Sequence, residues 1–129
     1  MSTYDHFYDL PVYKSCRTFK KNISQLVKNC FPKSEDYHLK AQVIDSSRSV
    51  TANIAEGFGR FHFQENIQFC RQARGSLTET VDHMITAFDD EYISSEQLKI
   101  LNDEYKICLK ELNSYIKYLK SAKEIINNQ

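Results

Sequence analysis

At 129 residues, with 41% hydrophobic and 26% charged side chains, the chain is long enough for one domain to bury a core without a disulfide or a structural metal. Seventeen Lys or Arg balance seventeen Asp or Glu, so the composition lacks the strong basic excess usual in a nucleic-acid-binding domain. No stretch reaches the roughly 20 apolar residues that cross a bilayer, and only three Gly and two Pro are present, which favours a few long helices over many short strands.

The opening MSTYDHFYDL has no basic region followed by an apolar one, so a cytoplasmic protein without membrane association is expected. Tyr4, Phe7 and Tyr8 are too aromatic for a plain tail, and residues 1–9 are expected to lie across a bundle end. Pro11 suits a first helical turn, where its missing N–H has no intrahelical partner to lose. From there Val12, Cys16, Phe19, Ile23, Leu26 and Cys30 step by three and four, predicting a helix over about 10–30 with one narrow buried stripe. Between Lys14 and Lys33 there are six Lys or Arg and no acid. Lys14, Arg17, Lys20, Lys21 and Lys28 are therefore the candidate nucleic-acid contacts, against the simpler reading of a solvated helix face.

Phe31-Pro32 breaks the pattern, and Ser34 beside Glu35 and Asp36 predicts the start of a second helix over about 35–57. Leu39, Val43, Ser46 or Ser47, Val50 and Ile54 form its stripe, which is weak because small or polar residues stand where Leu would be expected. The run Ser46 to Arg60, rich in Ser, Thr and Ala, predicts a close neighbour. A third helix over about 62–88 carries Phe63, Ile67, Cys70, Ala73 or Arg74, Leu77, Val81, Met84 and Phe88. Gly75-Ser76 interrupts it, and an interior glycine costs about 1 kcal/mol, so a neighbouring backbone is expected close to Gly75.

Ser94 with Gln97 three residues on forms a capping box that opens a fourth helix over about 95–126. Leu98, Leu101, Tyr105, Cys108, Leu112, Tyr115, Leu119, Ala122 and Ile126 give the most regular stripe in the chain. Ile100, Ile107, Leu109, Ile116, Tyr118 and Ile125 lie off that stripe, and the extra apolar surface predicts a homo-oligomer. Four long helices on short connections predict an all-α, up-down-up-down antiparallel four-helix bundle occupying 1–129 as a single domain.

Chemical motifs are sparse. Cys16, Cys30, Cys70 and Cys108 form no CxxC pair and fall on apolar stripes, predicting buried reduced thiols. One Glu-x-x-His, at Glu35 and His38, has no second copy to complete a di-metal site, and His6, His62 and His83 are scattered. No nucleophile elbow, P-loop or dinucleotide fingerprint is present, so no catalytic residue, metal, cofactor or small-molecule substrate is expected. Gln42, Arg48, Asn53, Glu56, Arg60, Arg74, Ser76 and Glu79 remain as a candidate structural polar network. Glu56 near a helix C-terminus faces the wrong end of the macrodipole and needs a cation: Arg60 four residues on, Arg48, Arg74 or another subunit. The alternative, an acid/base pair of Glu56 and Glu79, has no substrate pocket to support it.

Ser49-Val50-Thr51-Ala52-Asn53-Ile54-Ala55-Glu56-Gly57 with Arg60, followed by Ala73, Gly75-Ser76-Leu77 and Glu79, resembles the bacterial four-helix bundle proteins encoded in intervening sequences of 23S ribosomal RNA genes. Leu10-Pro11-Val12-Tyr13 and Gln42 extend the resemblance over about residues 7–120. Asp90-Glu91-Tyr92-Ile93 departs from it, standing where the family tends to have a Leu-Gly-Tyr-type turn. The resemblance implies a ring-like homopentamer and kinship with the accessory variability determinant proteins of diversity-generating retroelements, which bind nucleic acid and a reverse transcriptase. The leading expectation is a non-enzymatic oligomeric binding or assembly module with RNA or a ribonucleoprotein as partner. A purely structural or protein-protein interaction module ranks second, and an enzyme third.

Overall fold

The computed structural model describes residues 4–128. Four helices, α1 (Pro11–Cys30), α2 (Leu39–Gly59), α3 (Phe63–Asp89) and α4 (Ser95–Asn127), make up the fold, with no strand among the described residues. Each helix packs against its two neighbours, α4 returning to α1, and the backbones of diagonally opposed helices do not approach one another. Side-chain pairs give the directions. Asn22 meets Glu104 while Cys30 meets Gln97, so α1 and α4 are antiparallel; Ser46 meets Thr80 while Ser49 meets Ser76, so α2 and α3 are too. The result is a four-helix bundle of up-down-up-down order.

The core follows from the apolar stripes, with two shifts. In α1 the buried residues are Val12, Cys16, Phe19, Ile23 and Val27, so Val27 replaces the expected Leu26, which is half-buried. In α4 Ile116 is buried although it lies off the expected stripe, while Ile126 at the end of the helix is 55% exposed. Both shifts have one cause: a straight helix of 3.6 residues per turn drifts about 20° per heptad against a repeat of 3.5. Each fully buried large side chain, such as Phe19, Ile54 or Leu112, contributes about 1.5–3 kcal/mol relative to exposure.

Pro11 occupies the first turn of α1, and the preceding Phe7–Asp9 form a short 3-10 turn. Phe7 sets its ring edge-on to Tyr13 at 5.0 Å and Leu10 is buried, which ties this segment to the bundle end. Residues 1–3 of the expected aromatic strap lie outside the described residues.

Helix two begins at Leu39 rather than at 35, and Ser34 does not cap it. Lys33–Glu35 instead form a 3-10 turn, and the Glu35 carboxylate accepts from the Leu39 N–H at 3.2 Å and from the Tyr92 hydroxyl at 2.7 Å. A side chain from the distant α3–α4 connection thus competes for the residue that local sequence assigns to a first turn. The capping box forms: Gln97 N–H donates to Ser94 Oγ at 3.1 Å and Ser94 N–H to Gln97 Oε1 at 2.9 Å.

The close neighbour expected at Gly75 is absent, and the one expected along the Ser46–Arg60 run is found at Gly57. α3 runs unbroken through Gly75, and a Cβ built there would meet nothing within 4 Å, so no backbone of this chain approaches it. At Gly57 a Cβ would stand 2.7 Å from Asn66 Oδ1 and 2.8 Å from Phe69 Cβ. At Gly57 α2 and α3 are in close contact.

Candidate functional site

The small residues of α2 face α3 and form a ladder of hydroxyls. Ser46 Oγ lies 2.8 Å from Thr80 Oγ1, and the Ser76 hydroxyl donates to Ser49 Oγ at 3.0 Å. Asn53 Nδ2 donates to the Ser49 carbonyl at 2.8 Å and to Ser49 Oγ at 3.0 Å, while Thr80 Oγ1 donates to the Ser76 carbonyl at 2.8 Å. Ser46, Thr51 and Thr80 are buried, and short side chains that satisfy each other allow the helices to sit close without leaving polar groups unpaired.

The candidate network divides into separate pieces. Asn53 and Ser76 belong to the ladder. Glu56 pairs with Arg60 at 3.2 Å, and Arg60 reaches Glu65 at 3.8 Å while its guanidinium lies 5.1 Å from the Phe69 ring centre. All three charged side chains are about half exposed, so water screens the cluster and it contributes little stability. Glu79 pairs with His83 at 3.2 Å, and Arg74 donates to Asn113 of α4 at 2.8 Å, away from α2. Gln42 and Arg48 are exposed on α2. Glu56 and Glu79 therefore hold different partners in different places.

The cations of α1 behave differently. Lys14, Arg17, Lys21 and Lys28 are exposed on the face of α1 opposite its buried stripe, where a period of 3.6 brings these positions into one row. Lys20 leaves that row, its ammonium donating to Thr51 Oγ1 of α2 at 3.1 Å. Composition alone did not single out a second row on α4, where Lys106, Lys110 and Lys117 line a shallow groove of about 450 Å³. The steps of four and seven that place them together were available in the sequence.

Beside that second row runs an apolar one. Ile100, Ile107 and Ile125 of α4 are 56%, 56% and 62% exposed, and Tyr118 falls on the same line. Leu109 and Ile116, which sequence grouped with them, pack on or within the core.

The thiols are free: Cys16, Cys70 and Cys108 are buried and Cys30 is half-buried. A bond to the Cys108 thiol, together with burial, holds the Cys16 thiol far above its ordinary range, and burial pushes Cys70 up to about 12. Neither Cys16 nor Cys70 is a nucleophile at neutral pH. Among the described residues no three His, Cys, Asp or Glu side chains are placed to hold a metal ion, and no helix is long and apolar enough to cross a membrane.

A family model described as 23S rRNA-intervening sequence protein matches residues 8–114. Among solved structures, a protein of unknown function from the S23 ribosomal protein family of Bacteroides thetaiotaomicron is similar, with a TM-score of 0.75 and 25% identity over 82% of this chain and 95% of that one. Among curated proteins none matches the sequence closely enough to count as a relative.

Proposed function

Since the chain belongs to the 23S rRNA-intervening sequence protein family, we propose that it is a non-enzymatic, cytoplasmic assembly module whose copies associate through α4, as a homopentamer, and offer the basic rows of α1 and α4 to RNA or a ribonucleoprotein. The observation that carries the reading is the exposed line Ile100, Ile107, Tyr118 and Ile125. A bundle helix needs one apolar face, and a second one left in water is unusual for a monomer and typical of a buried contact. A contact between unlike patches repeats head to tail and closes as a ring when the rotation between copies closes, which is the geometry a homopentamer needs.

Multi-angle light scattering tests the assembly. A mass several-fold above 15.1 kDa is expected, and Ile107→Asp should lower it; a wild-type mass of one chain would end the reading. Electrophoretic shift with structured RNA at two salt concentrations tests the partner, since phosphate contacts make affinity fall steeply with salt. Replacing Lys14, Lys21 and Lys28 together by Glu should abolish the shift. The balanced net charge favours a second reading, an interaction module without nucleic acid, and absence of any shift at low salt would select it.

A further inference from the structure

A cavity of about 660 Å³ opens between the first turn of α1 and the middle of α4. Leu10 and Val12 from the α1 side and Ile107, Tyr115 and Tyr118 from α4 line it. Tyr115 and Tyr118 lie nearly parallel, their ring centres 6.2 Å apart. The one carboxylate in this lining is that of Glu111, whose Oε2 is buried and has no hydrogen-bond partner. No cation pairs with Glu111 among the described residues; Lys110, which also lines the groove, is exposed and makes no ion pair with it.

An acid set into an apolar wall without a counter-charge is costly, and chains rarely keep one unless something neutralises it. Among the described residues no cation does. The volume is that of a small-molecule site, and the lining is the mixture such sites use: aliphatic and aromatic walls with a few polar groups, here with Glu111 as the one carboxylate and Lys110 as the one cation. Tyrosine faces beside a carboxylate attract a cation in particular, because the ring quadrupole and the carboxylate act on it together.

We infer that the α1–α4 groove is a binding site for a small organic cation, a protonated primary amine carrying an aromatic or aliphatic body, with Glu111 as its counter-ion and Tyr115 and Tyr118 as its walls. The apolar body replaces water against Leu10, Val12 and Ile107, and the ammonium donates to the Glu111 carboxylate. Ile107 and Tyr118 also belong to the exposed row of α4, so this site adjoins the copy-to-copy contact but does not depend on it.

The test is isothermal titration of the full chain with 2-phenylethylamine, and with 2-phenylethanol and 3-phenylpropionate as neutral and anionic compounds with the same ring, alongside light scattering of each sample. The amine should bind about ten-fold or more tightly than the alcohol, the gain of one charge-assisted bond, and the acid should not bind. Glu111→Gln should fold and remove the preference for the amine, while Tyr118→Leu, which keeps the apolar wall, should weaken the amine more than the alcohol. Equal affinity for amine and alcohol, an unchanged preference in Glu111→Gln, or no amine binding, whatever the mass of the protein, would overturn the inference. Amine binding to a protein of single-chain mass would uphold it and remove the proposed assembly instead.

Discussion

The contrast between Gly57 and Gly75 can be tested with the same substitution at both positions. Replacing a helical glycine by alanine stabilises by up to about 1 kcal/mol through lower backbone entropy in the unfolded chain. At Gly75 the new methyl meets open space, so that gain should be kept. At Gly57 it would stand 2.7 Å from Asn66 Oδ1 and 2.8 Å from Phe69 Cβ. The amide oxygen could turn away, but Asn66 also donates to the Tyr115 hydroxyl and its oxygen accepts from Cys70. Phe69 Cβ is fixed to its backbone, so α3 itself must move. Overpacking of this kind costs about 1–3 kcal/mol, and loss of one buried hydrogen bond adds about 1 kcal/mol. Set against the propensity gain, Gly57→Ala should lose about 2 kcal/mol, lowering Tm by roughly 8 °C, whereas Gly75→Ala should raise it by roughly 4 °C. Thermal melts followed by far-UV circular dichroism decide it. A Gly57→Ala protein that melts at or above wild type would refute the close approach, and a Gly75→Ala protein that melts lower would show that this surface is covered by another molecule.

The remaining predictions concern the helix ends, one long-range pair and the thiols. Glu91 adopts φ 65° in a Schellman-type stop, where Tyr92 N–H bonds the Ala87 carbonyl and Glu91 N–H that of Phe88; Glu91→Gly should therefore stabilise by about 1 kcal/mol, and a lower melting temperature would contradict the strain. Ser94→Ala removes half of the capping box and should cost about 1 kcal/mol in chemical denaturation. The Tyr92 hydroxyl, and then the Leu39 N–H, hold the Glu35 carboxyl below its usual range, while the bond to Glu35 pushes the Tyr92 phenol up to about 12. The lowered carboxyl contributes stability above its unfolded range that is lost as pH falls through the folded value. The raised phenol contributes below about 10 and loses it as pH climbs towards 12. Tyr92→Phe should flatten both limbs of the stability profile, and unchanged slopes would remove the pair from the account. In native protein at neutral pH a thiol reagent should label Cys30 alone, the other three reacting only on unfolding; fast labelling of Cys70 would contradict its burial.

What could be read from sequence was local. The stripe of α4 and the Ser94–Gln97 box depend on residues three or four apart, and a helix realises such spacing whatever surrounds it. The Glu56–Arg60 pair depends on the same four-residue step. Gly57 and Gly75 could not be told apart in this way, because which glycine faces a neighbour depends on the rotation of two helices about their axes. Arg74 stands in the candidate polar network with the residues of α2, yet its place around α3 turns it to Asn113 of α4. Glu35 looked like a first-turn acid until Tyr92, 57 positions away, claimed its carboxylate. Glu111 carried no local signal, since an acid between Lys110 and Leu112 reads as an ordinary boundary position and only the approach of α1 encloses it.

The hydroxyl ladder between α2 and α3 also bears on the order in which the chain folds. These two helices are joined by only residues 60–62, and their seam links positions close in sequence, so pairing them closes a short loop. Docking α1 onto α4 joins residues as far apart as Asn22 and Glu104 and must close most of the chain. A hairpin of α2 and α3 is then the natural nucleus: substitutions at Ser49, Gly57 or Ser76 should slow refolding, while those between α1 and α4 should act on the rate of unfolding.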